Sequence, residues 1–116
     1  MSKTLHDNID VIESGYEFLL AYAAQGRDSD DGPGGSEVRT TLTGMSGAAA
    51  NIATDLSSDE SEFAPVVVED AGKAGAAIKL VLAQEKISSE LVDNLNASIH
   101  LRALLTDLFL LSEAAP

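Results

Sequence analysis

Apolar residues recur every three or four positions along most of this chain, a spacing that suits helices and little else. Strand signals are nearly absent. The single β-branched run, Val66-Val67-Val68, sits inside a longer helical pattern. Four segments carry the pattern, and they predict helices over about residues 4–25, 36–56, 63–85 and 88–113. In the first, Leu5, Ile9, Ile12, Tyr16, Leu19 and Ala23 form one stripe. Val11, Gly15, Phe18 and Tyr22 form a second column beside it, so the apolar face is wider than a coiled-coil seam. Val38, Leu42, Met45, Ala49, Ile52 and Leu56 mark the second helix, and Val67, Ala71, Ala74, Ile78, Val81 and Glu85 the third.

Punctuation between these segments is local. Ser2 or Thr4 suits the start of the first helix, and Gly26 its end. Residues 27–35 read Arg-Asp-Ser-Asp-Asp-Gly-Pro-Gly-Gly, which predicts a mobile acidic loop. Ser57 and Glu60 have capping-box spacing, Pro65 fits a first helical turn, and Ser88 or Ser89 suits the start of the fourth helix. Small residues crowd Gly44 to Ala50 and recur at Gly72 and Gly75, which predicts close helix approach. Four helices on short connections favour antiparallel neighbours. The expected fold is an all-α antiparallel four-helix bundle, up-down-up-down, in one domain over residues 1–116.

The fourth segment does not suit a bundle that closes on itself. Leu101, Ala103, Leu104, Leu105, Leu108, Phe109, Leu110 and Leu111 leave it apolar almost all round, and such a helix must be covered on every side. The surplus predicts a homodimer formed through the first helix, the fourth, or both. Candidate interface residues are Val11, Phe18, Tyr22, Leu101, Leu104, Leu108 and Leu111. Aromatic residues are few, and those of the first helix suit either a core or the centre of an interface.

Charge narrows the partners. The net charge is −12, with only seven Lys and Arg, so binding to a phosphate backbone is not expected. Acidity on this scale serves solubility or salt tolerance, or makes the chain an acidic decoy or adaptor for a basic protein partner. The chain has no cysteine, which excludes disulfides, thiolate metal sites and cysteine nucleophiles. The first seven residues lack the apolar run of a signal peptide, and no apolar stretch approaches the ~20 residues that span a bilayer. A cytoplasmic location without membrane association is the resulting expectation.

Motifs for chemistry are weak. His6, Asp10, Glu13 and Glu17 fall in one column of the first helix, and His100 shares a column with Asp93 and Asp107 at intervals of seven. Histidine and carboxylate one turn apart can share a metal. A helical di-iron site, however, needs Glu-x-x-His on two helices, and the chain contains none. Asp28, Asp30 and Asp31 resemble the opening of a calcium loop, but its twelfth position, which calls for glutamate, is Arg39. Gly32 to Gly35 precedes a helix without the Lys-Ser/Thr pair of a phosphate loop. Neither histidine has the lysine and glycine neighbours of a phosphotransfer site. The expected function is a non-enzymatic protein–protein interaction or structural module with no cofactor. The alternatives are the acidic adaptor and a helical metal or cofactor bundle using His6, Asp10, Glu13, Glu17 or His100.

Overall fold

The computed structural model describes residues 1–114, which form five helices and no strand. They are α1 (Lys3–Ala23), α2 (Glu37–Leu56), α3 (Ala64–Leu82), α4 (Ser89–Ala97) and α5 (Ile99–Ala114). The all-α class and the first three helices follow the periodicity. The fourth segment does not run as one helix. Ser98 turns extended (ψ 141°), and its hydroxyl accepts a hydrogen bond from the Leu101 N–H at 3.3 Å. A serine that caps the helix after it must leave helical geometry itself, so it ends α4 and starts α5. An uninterrupted apolar pattern hid this break.

α2 packs against both α1 and α3, while α4 lies mainly on α1 and α5 mainly on α3. The two last helices thus divide the place expected of one. The body they form is elongated, 45 × 21 × 19 Å. One continuous core runs through it, from Leu5, Ile12 and Leu19 through Leu42, Met45 and Ile52 to Ile78, Ile87, Leu101, Leu104 and Leu108. At ~25 cal/mol per Å² of apolar surface removed from water, each of these larger side chains contributes roughly 2 kcal/mol toward folding.

Caps fall close to their expected places. The Ser2 hydroxyl accepts from Leu5 N–H and the Ser88 hydroxyl from Leu91 N–H. Ser61, and not Ser57, serves α3, accepting from Ala64 N–H. Gly26 takes a left-handed conformation (φ 66°) past the end of α1. Close helix approach occurs at an unexpected glycine. A Cβ on Gly15 would lie 2.5 Å from Cγ and Sδ of Met45, so the α1–α2 contact needs the missing side chain. Gly47 and Gly72 face open space, while a Cβ on Gly75 would lie 4.0 Å from that of Ala49 across the α2–α3 contact, beside buried Ala48, Ala71 and Ala74.

Candidate interaction surface

Residues 27–35, expected to be a mobile loop, are held by a dense set of hydrogen bonds. Arg27 N–H donates to the Ser89 hydroxyl at 2.8 Å, and Ser89 N–H returns a bond to the Arg27 carbonyl at 2.9 Å. The Ser89 hydroxyl also donates to the Tyr22 carbonyl at 2.7 Å, joining the end of α1 to the start of α4. The Arg27 guanidinium reaches the carbonyls of Asp31 and Pro33 and lies 5.9 Å from the centre of the Tyr22 ring. Asp30 turns inward. Its carboxylate accepts from Arg39 and from Ile87 N–H, and the Arg39 guanidinium beside it holds its pKa below the usual carboxylate range. The residue that disqualified a calcium loop is therefore the one that neutralises its aspartate.

Four of the seven predicted interface residues belong to the core. Tyr22, Leu101, Leu104 and Leu108 are all buried within the single chain. The Tyr22 hydroxyl has an internal partner, the Ile87 carbonyl at 2.6 Å, and burial followed by the nearby Asp30 charge raises its pKa. Phe18 stacks on Tyr22 and, like Leu111, is half-buried against the core. Only Val11 of the seven is exposed. The apolar excess of the last segment is real but lies on other residues. α5 turns Leu101, Leu104, Leu105 and Leu108 inward and leaves Ile99 (74% exposed), Phe109 (55%) and Leu110 (56%) in solvent. Leu80 of α3 is 67% exposed. It lines a shallow groove with Lys73, Ala76, Ala77 and His100, which adjoins a second depression formed by Ile99, Arg102, Ala103, Thr106 and Asp107. Helical periodicity permits this division of α5 into two faces, but it cannot tell which leucines turn inward.

The same face contains a carboxylate pair that the sequence did not reveal. Asp107 of α5 is only 7% exposed, and its Oδ2 has no hydrogen-bond partner. Desolvation, then the adjoining Asp70 carboxyl of α3, pushes its pKa up to about 7. Two carboxylates placed together cannot both ionise cheaply, so near neutral pH the pair holds one proton between them. Asp107 falls in the Asp93–His100 column, but its partner lies on another helix, beyond the reach of a periodicity argument.

The proposed metal residues do not converge. His6, Asp10 and Glu17 are exposed along α1, and Glu13 is partly covered. Partial burial raises the Glu13 pKa, with Asp10 and Glu17 adding to the effect. His100 is exposed on α5 and lines the groove with Leu80. Among the described residues no group of three or more His, Asp or Glu is arranged to hold a metal ion. No helix among them is long and apolar enough to cross a membrane. Compared with family models, curated proteins and solved structures, the chain matches none.

Proposed function

We propose that this protein is a non-enzymatic interaction module that self-associates through the outer face of α5 and the neighbouring edge of α3. The observation that carries the reading is the exposure of three large apolar side chains on one helix, Ile99, Phe109 and Leu110 of α5, with Leu80 exposed on α3 beside His100, each of the four more than half exposed. Apolar side chains scattered singly over a surface are ordinary, whereas several concentrated around one helix mark an interaction site. Val11, exposed on α1 between α1 and α2, offers a smaller secondary contact. Chemistry has little support by comparison. The grooves are shallow and open, and the strongly shifted carboxyl of Asp107 has another carboxyl as its neighbour.

Light scattering on a size-exclusion column tests the proposal. The wild-type chain elutes as a dimer at micromolar concentration, and Leu110→Glu elutes as a folded monomer. A wild-type monomer at high micromolar concentration would contradict it.

A second reading, an acidic adaptor for a basic partner, is supported by the use of the cations. Arg27 and Arg39 are engaged within the chain, Arg39 against Asp30, which leaves few cations to balance the surface of a chain of net charge −12. That reading requires binding to a basic protein that weakens steeply with salt.

A further inference from the structure

The exposed residues of α5 are spaced in a way that selects one arrangement of two chains. Ile99, Ala103, Thr106 and Leu110 succeed one another at intervals of four, three and four, all on the side away from the buried leucines. This is the spacing of alternate d and a positions in a heptad, the seam along which two helices pack. On that numbering Arg102 takes a g position and Asp107 an e position, one on each flank of the seam. The two are oppositely charged and five residues apart. We propose that a second copy of this chain covers the outer face of α5, the two α5 helices running parallel, with Arg102 of each copy set against Asp107 of the other. The proposal rests on the self-association reading above and adds its orientation and its polar specificity.

Charge complementarity is what names the occupant. In a parallel pair the two-fold axis runs along the helices and brings unlike flanks together, so a g residue meets the e residue five positions later on the other chain. Arg102 then faces Asp107 twice, once on each side of the seam. In an antiparallel pair like flanks meet, which sets Arg102 against Arg102 and Asp107 against Asp107. Within one chain Arg102 has no counter-charge, and Asp107 has only another carboxyl beside it. Arg102 is exposed and makes no ion pair among the described residues, and the Asp107 Oδ2 has no donor. Asp70 stands beside Asp107, so a guanidinium arriving at Asp107 would offset the repulsion between the two carboxyls. The depression that would receive it is lined by Ile99, Arg102, Ala103, Thr106 and Asp107, the seam and both of its charged flanks. A chain of net charge −12 repels its own copy over most of its surface. Here a cation and an acid on each copy can offset that repulsion locally.

Three variants test the arrangement. Arg102→Glu changes an exposed side chain and should weaken dimerisation at least tenfold in sedimentation equilibrium. Asp107→Lys should do the same, and an equimolar mixture of the two should recover a heterodimer, because each chain then offers the charge its partner lacks. Orientation is read separately, and without dependence on how the Lys variant folds. The natural chain has no cysteine, so Leu110→Cys places a single thiol at the far end of the seam, where it meets its own copy in a parallel pair and lies opposite Ile99 in an antiparallel one. Under mild oxidation it should form a covalent dimer faster than Thr43→Cys, an exposed control on α2. If Ile99→Glu dissociates the dimer while Arg102→Glu leaves it intact, the apolar reading stands and the charge pairing is wrong. Crosslinking of Leu110→Cys no faster than the control overturns the parallel orientation. A monomeric wild type overturns this proposal together with the reading beneath it.

Discussion

Arg39 on α2 donates to the Asp30 carboxylate at 2.6 Å while its other nitrogens reach the carbonyls of Leu82, Gln84 and Glu85 at 2.9–3.2 Å. One guanidinium thus neutralises an inward-turned acid and satisfies carbonyls at and just beyond the end of α3, where a positive charge also suits the helix dipole. Asp30 in turn accepts from Ile87 N–H, which carries the connection to α4. Three separated stretches of chain are joined through this pair.

Arg39→Ala should therefore cost more than a surface ion pair. Its loss leaves Asp30, only 10% exposed, without its counter-charge and removes donors from three carbonyls, a penalty of about 2–3 kcal/mol. Arg39→Lys should recover less than half, because a single ammonium cannot reproduce the fork. Urea unfolding followed by circular dichroism measures both.

Asp30 also predicts an acid limit. Its pKa is lower in the folded than in the unfolded chain, so its contribution is present above the unfolded value of ~4 and is lost as pH falls through the folded one. Wild type should lose stability below about pH 4 more steeply than Asp30→Asn does. Parallel slopes for the two chains would show that Asp30 carries no such linkage.

Asp107 predicts the opposite slope in the isolated chain. Its folded pKa of about 7 lies above the unfolded value, so its contribution is complete below the unfolded pKa and is lost as pH rises through about 7. In the monomeric Ile99→Glu background, stability should fall by about 2 kcal/mol between pH 5 and pH 8. Adding Asp107→Asn should remove most of that fall, since an amide can donate to Asp70 without needing the proton. Thermal melts across that range give the comparison.

Gly15→Ala should destabilise despite the better helix propensity of alanine. The propensity gain is about 1 kcal/mol, while the new methyl meets Met45 inside van der Waals contact and forces a shift of α1 or of the methionine, for a net loss of about 1–2 kcal/mol. Met45 is fully buried, so Met45→Ala alone opens a cavity and costs about 2–4 kcal/mol. The double variant should lose less than the sum, because each change accommodates the other.

Tyr22→Phe separates core from interface. The hydroxyl donates to the Ile87 carbonyl in a buried setting, so its removal should cost about 1–2 kcal/mol of folding stability and leave the dimerisation constant unchanged. A change in dimerisation without a change in stability would return Tyr22 to the interface.

The residues that were legible in the sequence and those that were not divide on a physical line. Repetition along one helix is visible as periodicity, and it placed Leu5, Ile9, Ile12 and Leu19 in the core of α1 and located α2 and α3 to within a few residues. Relations across elements leave no such trace. Asp30 finds Arg39 nine residues away and Ile87 on a connection 57 residues away, and neither spacing marks a motif. Tyr22, as an aromatic of the second apolar column, suits a core or an interface centre alike, and the acceptor that decides for the core is 65 residues distant. In α5 the surplus of apolar residues was visible, but assigning it to faces needed the break at Ser98, which sets the phase of the helix. That break turned Leu101, Leu104 and Leu108 inward and left Ile99 and Leu110 to carry the outer face.

Sedimentation equilibrium of the wild-type chain beside Ile99→Glu, at neutral pH and physiological salt, tests the central claim most directly. The account predicts that the wild type sediments at twice its 12.1 kDa chain mass across the micromolar range, and that Ile99→Glu, folded by circular dichroism, sediments at the single-chain mass. A wild type that stays at 12.1 kDa throughout, or an Ile99→Glu dimer as tight as the wild type, would contradict it.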